Sequence, residues 1–168
     1  SRGLGDVYKR QARYCPNPED FDLLVAPVFS PDGVVRYYVP EGTWTNVLNG
    51  ERIAGPRWIE EQFDYMTMPL LARPGAVIPM QEGRCDTDGD LTDDVILKIY
   101  DPAALDSEWR QLVLRHGFEE DAAETIFRIR RTNDVLEVRC DSVEDGWTVE
   151  CGGQRVQAHA GAATLSVQ

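Results

Sequence analysis

Histidine is nearly missing from this chain, with two copies in 168 residues, and no two cysteines are spaced as Cys-x-x-Cys. Zinc and iron–sulfur centres need such clusters, so the sequence assigns no metal site and no cofactor. Cys15, Cys85, Cys140 and Cys151 are far apart. Cys140 and Cys151 could meet across two strands, but reduced, buried thiols are the expected state in a chain of this size. Basic residues are scarce as well: 17 Lys and Arg stand against 29 Asp and Glu, a net charge of −12. Nucleic acids and anionic membranes bind through basic patches, so neither is an expected partner, and the excess negative charge serves solubility. No apolar run approaches the ~20 residues that a membrane-spanning helix needs. A helical period held over three or four turns is found nowhere.

What is there reads as strands. Met68–Met80 (MPLLARPGAVIPM) sets two short apolar runs either side of Arg73-Pro74-Gly75. Proline presets the second position of a type II turn and glycine accepts the positive φ of the third. A segment apolar on both sides of its turn has no face for water, so it is predicted to run through the interior where layers join. Around it lie Phe21–Phe29, interrupted by Asp22, then Val34–Val39, and a pair, Thr43–Leu48 and Glu51–Ala54, flanking Asn49-Gly50. That dipeptide predicts a type I′ hairpin, since both central residues need positive φ. Further strands are predicted at Val95–Tyr100, Trp109–Leu114, Thr125–Arg130, Val135–Arg139, Gly146–Glu150, Gln154–His159 and Ala163–Val167, with Gly152-Gly153 as a two-residue turn.

Strands every 8–12 residues with turn chemistry between them point to an all-β chain of two consecutive antiparallel β-sandwich domains. The expected organisation is an irregular, non-native leader over residues 1–20, a first sandwich over 21–81, an acidic linker over 82–94 and a second sandwich over 95–168.

Few residues suggest chemistry. Asp86, Asp88 and Asp90 start like a calcium loop, but Leu91 and Leu97 occupy the positions where an EF-hand needs Gly and Glu. Glu119, Glu120 and Asp121 read as a solvated edge, and His116 and His159 as ordinary surface or strand histidines. Trp44, Trp58 and Tyr65 could form a sugar-stacking platform, although tryptophans of a small sandwich more commonly fill its core; Trp44 and Trp58 are carried forward as candidate sugar-binding residues. Arg73, between two apolar runs, calls for a carboxylate or several carbonyls.

Four stretches in fixed order carry a resemblance: LLVAPVF at Leu23–Phe29, YVPEGTW at Tyr38–Trp44, NVLNG at Asn46–Gly50, and Met68–Met80. Together with Gly55–Trp58 (GPRW) they are similar to the C-terminal region of glycoside hydrolase family 31, most closely its bacterial α-xylosidase branch. The resemblance implies a proximal and a distal β-sandwich that follow a catalytic (β/α)8 barrel, that barrel being the expected partner, with α-xylosyl or α-glucosyl oligosaccharides as the parent's substrates. It also implies a retaining mechanism using two carboxylates about 5–5.5 Å apart. Both belong to the barrel; no stretch here matches either motif, and Asp88-Gly89-Asp90 is a superficial lookalike. No catalytic residue is therefore assigned, and the expected role is structural support without hydrolytic activity of its own.

Overall fold

The computed structural model describes residues 22–81, 94–115, 123–143 and 146–167. They form twelve strands in three four-stranded sheets, with one 3-10 turn at Pro102–Ala104. The all-β architecture is as expected, and all but one of the strand pairs are antiparallel.

The first sheet holds β1 (Leu23–Val25), β2 (Val34–Asn46), β3 (Arg52–Gln62) and β4 (Leu70–Ala72), in the order β1-β4-β2-β3. β2 and β3 make a long ribbon whose register shifts between Val39 and Gly42, where Pro40 cannot donate to the ladder. Gly55, opposite Gly42, meets the Pro40 carbonyl so closely that a Cβ would lie 1.8 Å from its oxygen. The bulge therefore needs glycine there. Tyr37, Val39, Trp44, Ile53 and Leu71 are buried together in the small core on one side of this sheet, flanked by Leu24, Ala26, Val35 and Ile59.

The loop between β2 and β3 departs from the expected turn. Gly50 has φ +78, but Asn49 is not in the positive-φ region. The Gly50 N–H instead reaches back to the Asn46 carbonyl at 2.8 Å. Asn46 Oδ1 accepts from Leu48 N–H and Asn49 Oδ1 from Glu51 N–H, each at 2.9 Å. Two asparagine side chains thus stabilise a longer loop over the two-residue one.

The other eight strands form a sandwich. One sheet has β5 (Val77–Met80), β6 (Ile96–Ile99), β10 (Thr148–Cys151) and β11 (Gln154–Gln157), ordered β11-β10-β6-β5. β6 and β10 run parallel; the sheet's other pairs are antiparallel. The second has β7 (Arg110–Arg115), β8 (Glu124–Thr132), β9 (Val135–Cys140) and β12 (Ala162–Ser166), ordered β12-β9-β8-β7. Their inner faces enclose a large core in which Phe127 and Trp147 meet edge to face, centroids 5.2 Å apart. Cys140 and Cys151 are both buried and free, one on each sheet. Burial raises the Cys151 thiol above its ordinary pKa, and the Asp101 carboxylate adds to this.

Residues 68–80 join the two units as expected, but they do not belong to the first one alone. Leu71, Ala72, Ala76 and Val77 are all 2% exposed or less, and the Ala76 N–H closes the turn on the Arg73 carbonyl at 3.0 Å, with Gly75 at φ +76. Before the turn β4 pairs with β1 and β2; after it β5 pairs with β6. By strand membership the division therefore falls at Arg73–Ala76, not at the acidic segment 82–94. Pro79 sits in β5 without penalty because that strand is a sheet edge.

Candidate functional site

A large hollow lies at one end of the first sheet, between the loops β1–β2 and β3–β4. Pro27, Val28, Asp32, Asp64, Tyr65 and Met68 are among its lining, and its volume is about 730 Å³. The loops are tied together there: Phe63 N–H bonds the Gly33 carbonyl at 2.9 Å and Gln62 Nε2 the Asp32 carbonyl at 2.8 Å. Gly33, at φ +75, lies against Phe63 with no room for a Cβ.

Two carboxylates in one hollow invite comparison with acid–base chemistry, but neither is set up as a general acid. Asp32 accepts from the Ser30 hydroxyl and, at 3.1 Å, from Val34 N–H. Asp64 accepts from the Thr67 hydroxyl at 2.6 Å and Met66 N–H at 2.9 Å. These bonds hold both carboxyls below their ordinary value of 3.8, the hydroxyl contribution being largest in each. A general acid needs its pKa raised toward neutrality. Both aspartates are instead loop organisers, ionised throughout the neutral range.

The same end of the sheet presents large apolar side chains to solvent. Phe29 is 90% exposed, Tyr65 fully so and Met66 87%, with Met68 around 40%. Strand β1 alternates outward Leu23 and Val25 with inward Leu24, so one side of a sheet edge is left apolar.

The two candidate tryptophans lie apart in environment. Trp44 is in the small core, 6% exposed, and its indole N–H donates to the Pro40 carbonyl at 3.1 Å. It has no face to offer a sugar; burying an indole beside a satisfied acceptor is worth more to this core than exposure. Trp58 is 61% exposed on β3, opposite Tyr38 on β2, with ring centroids 5.5 Å apart. Tyr65 is on the other loop and shares no ring contact with them. His159 is exposed at an isolated bridge with Ala162. Asp86, Asp88, Asp90, His116, Glu119, Glu120, Asp121, Cys15 and Cys85 lie outside the described residues. Among the described residues no group of three or more His, Cys, Asp or Glu is placed to hold a metal.

Arg73 has the carboxylate that its surroundings require. Its guanidinium meets Asp22 Oδ1 at 3.1 Å, and the same oxygen receives Arg110 of β7 at 2.8 Å. Arg110 also donates to the Gly75 carbonyl at 2.9 Å. One aspartate thus ties the start of the first sheet, the joining turn and the sandwich. Arg52 of β3 adds a second tie to Asp101 at 3.1 Å. Sequence reasoning overlooked Asp22 and Arg110, though Asp22 was the one charge inside an apolar run.

Residues 20–78 match the glycosyl hydrolase family 31 C-terminal domain. They are a family 31 C-terminal domain. An α-xylosidase of Lactiplantibacillus pentosus is 37% identical over 81 residues, which are 46% of this chain and 11% of that enzyme. An α-xylosidase of Emericella nidulans is 30% identical over 146 residues, 75% of this chain and 18% of the relative. The chain thus spans less than a fifth of the curated relatives it matches. Among solved structures, the family 31 α-xylosidase of Xanthomonas citri superposes with a TM-score of 0.61 at 17% identity, covering 98% of this chain and 22% of that one. The cycloalternan-forming enzyme of Listeria monocytogenes gives 0.59 at 23% identity over 77% of this chain and 13% of its own. These likenesses extend the shared fold beyond the family 31 domain into the sandwich.

Proposed function

We propose that this chain is the structural C-terminal part of an α-xylosidase-like glycosidase, supporting a catalytic (β/α)8 barrel and hydrolysing nothing by itself. The family 31 domain at residues 20–78 carries the reading, because in relatives named as α-xylosidases the matching part is a small share of the enzyme. The apolar end of the first sheet supports it. Phe29, Tyr65 and Met66 are too exposed for side chains with no partner, and a barrel packed on that end would cover them. The pinned aspartates of the nearby hollow fit a scaffold and not a retaining active site, which needs one carboxyl kept protonated. The parent would then act on α-xylosyl or α-glucosyl oligosaccharides through carboxylates of the barrel.

Purified chain incubated with an aryl α-xyloside is expected to release no phenol above the buffer rate. Steady turnover, lost on Asp32→Asn or Asp64→Asn, would overturn the reading. As a second measure, replacing Phe29, Tyr65 and Met66 together by serine is expected to reduce self-association of the chain. An unchanged sedimentation profile of an associating wild type would remove the docking face from it.

A further inference from the structure

Outside the apolar end, the β2–β3 ribbon carries a second exposed aromatic pair in a different setting. Tyr38 and Trp58 are directly opposed and point to one face, 45% and 61% exposed, their planes tilted by 57°. The next register pair on that face is Arg36 opposite Glu60. Opposed opposite charges on a ribbon ordinarily pair. Here the Arg36 guanidinium lies over the Trp58 ring, 5.1 Å from its centroid, and among the described residues no carboxylate is within ion-pair reach of it. The result is an aromatic pair with Arg36 over one face of Trp58, and with guanidinium N–H donors and a Glu60 carboxylate beside it that make no ion pair among the described residues.

From this juxtaposition we infer that the ribbon face is a binding site for a neutral α-linked oligosaccharide, with Trp58 and Tyr38 stacking on pyranose C–H faces and Arg36 and Glu60 bonding the ring hydroxyls. The α-linked class rests on the proposed function; the platform itself does not. A pyranose is apolar on its faces and polar around its rim, which is the pattern of these four side chains. A protein partner fits less well. Two aromatic side chains bury about 150–250 Å² each, well short of the roughly 800 Å² per partner that a stable protein interface covers. An anion fits less well too, because Glu60 stands in the same register pair as Arg36.

The test is titration of the whole chain with isomaltotriose and with isoprimeverose, followed by tryptophan fluorescence and by amide shifts. A saturable change with Kd on the order of 1 mM is expected, since few side chains and no enclosing walls take part. Trp58→Ala should abolish it, and Arg36→Ala and Glu60→Ala should each weaken it several-fold. All three positions are exposed, so circular dichroism and the emission of buried Trp147 serve as checks that each variant is folded. No saturation at roughly ten times that concentration, or a Trp58→Ala chain that binds as the wild type does, would overturn the site. Saturation by heparin alone, or a dimer dissolved by Trp58→Ala without sugar binding, would overturn it equally, in favour of an anion or a protein partner. None of these outcomes depends on whether the chain supports a barrel, which the aryl α-xyloside assay addresses.

Discussion

The two units of this chain solve the same packing problem at different scales. Among the described residues, seventeen buried ones share the core of the sandwich, whereas five share that of the first sheet. The sandwich closes on itself: two sheets face each other, and the aromatic pair Phe127 and Trp147 fills the space between them. The first sheet has one layer, bends its long ribbon to shelter Trp44, and leaves apolar side chains at its free end. A domain of about 60 residues is near the lower limit at which a core sustains itself. The difference teaches that the first unit leans on the sandwich, through the Arg73–Ala76 turn and the Asp22 tie.

The largest effects should separate the two cores. Phe127→Ala is expected to cost about 3–5 kcal/mol in urea unfolding and to remove the near-ultraviolet signal of Trp147. Leu71→Ala, in the small core, should cost about 2–5 kcal/mol and melt the first sheet while the Trp147 signal persists. Loss of both signals together in the Leu71 variant would mean that the units share one cooperative core.

An intermediate effect is expected at the tie. Asp22 and its two arginines are each between a fifth and a third exposed, so the pairs are screened by solvent but not fully. Asp22→Ala should cost about 1–2 kcal/mol and should widen the gap between the two unfolding transitions, because it leaves Arg73 and Arg110 facing each other across the joint. A midpoint shift with no change in that gap would place Asp22 within the first unit's stability alone.

The smallest effect concerns pH. The buried Tyr37 phenol donates to Glu61 Oε2 at 2.8 Å, and its pKa is pushed well above the ordinary value of 10, first by burial and then by that bond and charge. A raised folded pKa favours the protonated form, so this contribution is complete below pH 10 and fades as the pH rises beyond it. Tyr37→Phe should cost about 1 kcal/mol at neutral pH. It should also flatten the alkaline loss of the first unit between pH 10 and 11, as read by thermal melts. An equally steep loss in the variant would assign it to another group.

Much of this was legible because turn chemistry is local. Gly152 and Gly153 both take positive φ and join β10 to β11, and Arg73-Pro74-Gly75 makes the turn that its residue types require. Strand periodicity located β6 to β12 closely. What escaped depends on partners far along the chain. Nothing in VIPM says that β5 leaves the first sheet; its allegiance is decided by β6, across the acidic segment. Asn49-Gly50 misled because Asn46 supplies a competing side-chain bond. Trp44 and Trp58 look alike in sequence, yet they stand on opposite faces of a ribbon whose bulge between Val39 and Gly42 resets the alternation. Arg73 announced its need for a carboxylate, but not which one would answer.

The migration of β5 has a consequence for dissecting the molecule. Cutting at the acidic stretch, where composition invites it, would leave residues 77–80 attached to the wrong half: a bare edge ready to template strangers, and a sandwich short of one side. A cleaner severance runs through the proline–glycine turn, so the natural seam lies inside what reads as one uninterrupted greasy phrase.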